Sequence, residues 1–166
     1  MKSLFLFQLL TSSGAASDML HSSVLQLNHS QILTFPDNSY SLAPAPGIDK
    51  INIPISFLIR THIISSGYGN INAGALLQIQ YSGKAISTNI RSLGLDSAPS
   101  NNFAAFSSPF VDALDIMEQT ATQVNQPIQL SAFNFGDGNF TFGNAANTLT
   151  VGITYLIFNV NTNEFE

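Results

Sequence analysis

At 166 residues, 45% of them apolar, the chain is long enough for one domain with its own core. It has no cysteine, which excludes disulfides and thiolate metal sites. Only 9% of residues are charged, against about a quarter in ordinary soluble domains, and the five basic ones (Lys2, Lys50, Arg60, Lys84 and Arg91) are scattered, so no basic stripe exists to neutralise phosphates and no nucleic-acid partner is expected.

Solvent must then be met mostly by Ser, Thr, Asn, Gln and Gly. Burying such a surface costs less than burying charges, and charged residues are depleted at interface cores. The composition points to a protein that lives inside an assembly. The plainer reading is a neutral, Asn-rich domain.

Lys2, the run Leu4-Phe5-Leu6-Phe7 and the small residues Gly14-Ala15-Ala16-Ser17 imitate a short export signal, but Gln8 interrupts the apolar stretch. The preferred reading is an N-terminal arm and linker over residues 1–22, followed by a domain over residues 23–166. An apolar run without alternation suits a strand covered on both faces. Leu4, Phe5, Leu6, Phe7, Leu9 and Leu10 are therefore candidate assembly contacts. No apolar run reaches the ~20 residues of a membrane-spanning helix, so no membrane partner is expected.

Residues 24–35 alternate in part and read as a strand around a polar Asn28-His29-Ser30 centre. Pro36-Asp37-Asn38 marks a turn. Ser41-Leu42-Ala43 is a short extended piece, and Pro46-Gly47 fits the centre of a type II turn. Residues 50–64 form a long strand. Ile51, Ile53, Ile55, Phe57, Ile59 and Thr61 share a core face; Asn52, Pro54, Ser56, Leu58, Arg60 and His62 share the other. Pro54 lacks a ladder donor, which predicts an edge or a bulge there.

Residues 75–81 and 84–90 read as two strands around Ser82-Gly83, and residues 93–108 as a long connection. Ser108-Pro109 suits a helix start, although the segment that follows fits a strand equally. Residues 127–135 form a strand, Gly136-Asp137-Gly138-Asn139 a hairpin-type turn, and residues 140–142 a further extended piece. Residues 148–160 close the chain, with Leu149, Val151, Ile153, Tyr155 and Ile157 on one face. Short strands between Gly, Pro and Asn turns, with at most one helix, indicate an all-β sandwich or barrel.

Chemistry-bearing patterns are sparse. His21, His29 and His62 fall in no HExxH or His-x-His pattern and read as surface or interface histidines. Asp112, Asp115 and Glu118 form the only acidic cluster, and on a helix they line a solvated stripe rather than one cleft. Asp137-Gly138-Asn139 lacks the further acidic ligands of a calcium loop. No catalytic set, cofactor or metal is expected. Phe133, Phe135, Phe140 and Phe142 flank one turn. Both pairs facing one core is the expectation, and an exposed docking patch the alternative.

Three stretches carry a resemblance. They are Ser30-Gln31-Ile32-Leu33 with Leu42-Ala43-Pro44-Ala45-Pro46-Gly47 and Lys50; Gly74 to Tyr81; and Asn125 to Leu130, then Gly136-Asp137-Gly138, then Thr148 to Tyr155. From Ser23 onward their order resembles small virion proteins of tailed phages, in particular capsid decoration (cement) proteins. The resemblance implies a jelly-roll-like antiparallel β-sandwich with an extended N-terminal arm. It also implies a non-enzymatic homotrimer on the capsid exterior, bound to the major capsid protein. Tail, neck or fibre-base components come second, and a secreted glycan-binding module third. The extension before Ser23 departs from the pattern.

Overall fold

Period-2 alternation accounts for most of what folds. The structure, a computed structural model, describes residues 19–72, 75–81, 84–85, 90–91, 95–96, 99–107, 124–134 and 138–166. The apolar run Leu4 to Leu10, the segment after Ser108-Pro109 with its acidic residues, and Phe135-Gly136-Asp137 lie outside the described residues.

Twelve strands are described, all antiparallel in their pairing: β1 (His21–Leu27), β2 (Tyr40–Ala43), β3 (Lys50–Ile63), β4 (Tyr68–Gly69), β5 (Leu76–Tyr81), β6 (Lys84–Ala85), β7 (Ile90–Arg91), β8 (Ser100–Ser107), β9 (Ile128–Phe133), β10 (Thr141–Phe142), β11 (Thr148–Asn159) and β12 (Glu164–Phe165). One sheet runs β1-β11-β3-β8, with β12 on the end of β11. The other runs β2-β9-β5, with β6 and β7 both on β5. β4 and β10 form a separate two-stranded ladder. The chain crosses from one sheet to the other at nearly every step; β5 to β6 and β7, and β11 to β12, stay in one sheet. Leu149, Val151, Phe57 and Ile59 from the first sheet meet Leu77, Ile79, Ile128 and Leu130 from the second in one core. Each such side chain contributes about 1.5–3 kcal/mol.

Three expectations need correction. Residues 24–35 are not one strand. β1 ends at Leu27, and a short helix, α1 (His29–Leu33), follows. Asn28 caps it: Oδ1 accepts the Gln31 amide at 3.1 Å, and Gln31 Oε1 accepts the Asn28 amide at 3.0 Å. That reciprocal box satisfies two donors at a helix start. α1 and the 3-10 turn Phe35–Asp37 turn Ile32 and Phe35 into the core. β1 itself begins at His21, paired with Tyr155, two residues before Ser23.

Residues 93–108 are not only a connection. Ser100–Ser107 forms β8 and pairs with β3 from Ser56 to Ile63. Phe103 and Phe106 stand three apart, so no period 2 announces this strand in the sequence.

The core face of β3 also changes midway. Pro54 pairs with Tyr155 and Ser56 with Thr154, which leaves Ile55 without a partner. This is the bulge that Pro54 predicted. An extra residue re-aims the strand. Phe57, Ile59 and Thr61 are buried as expected, but before the bulge Asn52 and Pro54 are buried while Ile53 is half-buried and Ile55 exposed. Pairing with β8 stops at Ser56, so among the described residues the missing N–H of Pro54 costs no bond to β8. The side chain of buried Asn52 donates to the Pro44 carbonyl at 2.7 Å, and the Asn52 backbone carbonyl accepts the Tyr81 hydroxyl.

Candidate interaction surface

The end of the sandwich where β3 and β9 finish is built from loops, and asparagine side chains fasten them. Asn147 is buried between two segments: it donates to the Ser66 carbonyl at 2.7 Å and accepts the Ile64 amide at 2.9 Å. Asn134, also buried, donates to the carbonyls of Asn70 (2.7 Å) and Gly138 (2.8 Å) and accepts the Asn72 amide (2.8 Å). Asn70 donates to the Asn139 carbonyl, Asn139 to the Asp37 carboxylate, and Asn144 to the Ser65 hydroxyl. An amide offers both donors and acceptors without a charge to desolvate. The Asn-rich, charge-poor composition thus has a structural use.

The β4–β10 ladder stands among these loops. Tyr68 of β4 is buried, stacks on His29 with ring centroids 5.6 Å apart, and lies with its hydroxyl 3.4 Å from His29 Nδ1. Burial pushes the Tyr68 phenol up to about 12, partly opposed by a hydrogen bond with Asn147. Tyr68 pairs with Phe142 and Gly69 with Thr141.

The phenylalanine cluster does not share one core. Phe140 is buried, Phe133 is partly exposed, and Phe142 is 81% exposed. Alternation fails there because Phe142 has a φ of +58° and Gly143 a φ of +84°, both left-handed. A Cβ on Gly143 would come within 2.7 Å of the Tyr68 ring, and one on Gly69 within 2.9 Å of the Phe142 ring. At Gly143 the positive φ and the buried Tyr68 ring together require glycine, whereas a side chain at Gly69 would need the exposed Phe142 ring to move aside.

A second surface is the outer face of the first sheet. Register places three rows across β1, β11 and β3: Ser22, Thr154 and Ser56; Val24, Gly152 and Leu58; Gln26, Thr150 and Arg60. Val24 is 73% exposed and Leu58 46%. Eight of these nine positions are uncharged, Arg60 being the exception, so the face carries no strong field of either sign.

The histidines separate. His21 stacks on Tyr155 with centroids 5.4 Å apart, His29 stacks on Tyr68, and His62 pairs with Thr148 at the margin of the outer face. Among the described residues no three His, Asp or Glu side chains converge on a common point. The proposed arm contacts Leu4, Phe5, Leu6, Phe7, Leu9 and Leu10 lie outside the described residues. Sequence reasoning expected the phenylalanines to share one core and held exposure as the alternative; Phe142 follows the alternative and Phe140 the expectation. A signal was present in the pair Phe142-Gly143, which stands where consecutive left-handed residues favour Asn-Gly.

No protein-family model matches the chain, and a search of curated proteins gives no match either.

Proposed function

We propose that this chain is a non-enzymatic structural protein that works by packing against other proteins, as a decoration (cement) component on the exterior of a tailed-phage capsid. Its partners in this reading are the major capsid protein and further copies of itself, with a trimer expected from the resemblance. It uses no cofactor and engages neither nucleic acid nor membrane.

The observation that carries the reading is a charge-poor exterior. Asparagine side chains at the loop end bond across segments, and the outer face of the first sheet presents rows of Ser, Thr, Gln, Gly, Val and Leu with one Arg. Such surfaces are covered by a neighbour at low desolvation cost. Strand order adds support. Counting β6 and β7, which both pair with β5, as one position, and leaving β4–β10 and β12 apart, the eight positions lie 1-8-3-6 in one sheet and 2-7-4-5 in the other. Eight strands wound across two sheets suit a jelly roll, an architecture used by viral capsid domains and also by lectins and cupins. Fold alone does not select among these; the charge-poor surface favours assembly. Leu4, Phe5, Leu6, Phe7, Leu9 and Leu10 then serve as the arm that ties the domain to its neighbours.

Co-sedimentation tests this. The full-length protein should bind tail-free heads stripped of it and should leave isolated tails in solution. Binding to tails alone selects a tail, neck or fibre-base role. Retention on glycans with no binding to either selects a secreted module.

A further inference from the structure

At the end of the sandwich opposite the asparagine-braced loops, three polar side chains meet at the rim of the core. Lys50 and Asn159 are direct partners in the antiparallel register of β3 and β11, so their side chains stand side by side on one face. By alternation this is also the face of Asn52 and Ile157, the pair one step further in. Asn52 is fully buried and Ile157 packs against the core. Lys50 and Asn159 are themselves half-buried. The end of β12 brings Glu166 to the pair, because the Glu166 amide donates to the Ile157 carbonyl at 2.9 Å.

Each contact places a group that amide formation needs. Glu166 Oε2 accepts from Lys50 Nζ, and Glu166 Oε1 accepts from Asn159 Nδ2 at 3.1 Å. One carboxylate thus bridges an amine and a carboxamide nitrogen. Asn159 Oδ1 accepts the backbone amides of Asn161 at 3.0 Å and Thr162 at 3.2 Å. Two fixed N–H donors on a carbonyl oxygen polarise its carbon and stabilise the charge that builds on the oxygen during attack. An asparagine capping its own turn accounts for those two bonds, and an ion pair accounts for the lysine. Neither requires the amine and the carboxamide to share one carboxylate.

We propose that Lys50 and Asn159 are the precursors of an intramolecular isopeptide cross-link, with Glu166 as the proton carrier. Neutral Lys50 Nζ attacks Asn159 Cγ. The Nζ–Cγ bond forms, and the carbonyl electron pair moves onto Oδ1, where the Asn161 and Thr162 amides hold it. Glu166 takes a proton from Nζ and passes it to Nδ2. The Oδ1 electron pair then re-forms the carbonyl, the Cγ–Nδ2 bond breaks, and ammonia leaves. No oxidant or further reactant is needed. Register and the shared carboxylate supply the proximity. Lysine amines are mostly protonated at neutral pH and only the neutral amine attacks, so the step is slow and newly made protein carries the ion pair alone. In a chain without cysteine, the link takes the place of a disulfide and closes the long loop between β3 and β11.

The test holds the folded full-length protein for weeks at about pH 9, where more of a lysine's amine is neutral. Intact mass and tandem mass spectrometry of digests follow the reaction. Wild type should become lighter by one ammonia and yield a branched peptide joining Lys50 to Asn159. Lys50→Arg should keep its mass. Glu166→Gln should link about a hundredfold or more slowly, the loss expected on removing a positioned general base. Wild type that yields no such peptide overturns the proposal. Loss of ammonia that persists in Lys50→Arg is succinimide formation at an asparagine and overturns it too. A peptide joining Lys50 to Glu166 with loss of water shows the carboxylate to be the target rather than the proton carrier, and counts against it. Linkage as fast in Glu166→Gln as in wild type overturns the role given to Glu166.

Discussion

The sandwich interior and the loop end of this protein are held by different chemistry. In the interior, Leu130 and Ile79 of one sheet face Val151 and Leu149 of the other, all fully buried. Their attraction is non-directional and follows apolar area. At the loop end, directional amide bonds join segments 62 to 102 positions apart in sequence, through Asn134, Asn147, Asn144, Asn70 and Asn139. The difference teaches how a chain with so few charges stays organised at its periphery. Where many domains use ion pairs, this loop end uses asparagine, in keeping with a chain only 9% charged.

The largest expected effect breaks the interior. Leu130→Ala should lower stability by about 2–5 kcal/mol, through lost transfer energy and an unfilled cavity, measured by urea unfolding. The next tests the loop end. Asn134→Ala strands the carbonyls of Asn70 and Gly138 and the amide of Asn72, and should cost about 1–3 kcal/mol for a buried group left unpaired. A loss below about 0.5 kcal/mol, as at ordinary surface sites, would remove the distinction between the two regions. If the distinction is right, Asn134→Ala should also raise amide exchange in residues 64–72 more than in β5 or β11, because the bonds are local to that end.

The interior was legible because alternation writes it out. β5, β9 and β11 follow the expected pieces, and the expected face of β11 is buried from Leu149 to Tyr155. Pro54 announced its bulge, although its consequence, the exchange of Ile53 and Ile55 for Asn52 and Pro54 on the buried side, depends on pairing with β11. β8 left no periodic trace, and its strand exists because β3 offers an edge to pair with. α1 was hidden because its Asn28-x-x-Gln31 box lies within a partly alternating run. The loop end was hardly legible at all. An asparagine gives no hint of a partner 80 positions away, and nothing in the local sequence marks Tyr68 as the partner of Phe142.

A further difference between the regions appears at high pH. In the unfolded chain a tyrosine loses its proton near pH 10. Folded Tyr68 holds it to about 12, because burial disfavours the phenolate. Its neutral form therefore contributes stability that is fully present below pH 10 and is lost as pH rises towards 12. Tyr81 shifts in the same direction by burial and adds to the trend. Urea midpoints should fall across pH 10–12, and Tyr68→Phe should make that fall shallower. An equal slope in Tyr68→Phe and wild type would mean that the loop end opens before Tyr68 titrates.

The smallest effect lies at the opposite end of the sandwich, where charge is used. Lys50 forms an ion pair with Glu166, and Asn159 also donates to Glu166. The lysine first and the amide second hold the Glu166 carboxyl below the usual carboxylate range. A depressed folded value contributes stability above the unfolded value and loses it as pH falls through the folded one, so the pair should matter at neutral pH and fade in acid. Glu166 is exposed and Lys50 partly so, however, and such pairs contribute little and are screened by salt. Glu166→Gln should therefore leave the neutral-pH urea midpoint close to wild type. In about 1 M salt, where the Debye length is about 3 Å, the two should be indistinguishable. A loss as large as that of Asn134→Ala, persisting in high salt, would make this charged end as structural as the amide-braced one. It would also show that the scarcity of charge elsewhere is not what sets the two ends apart.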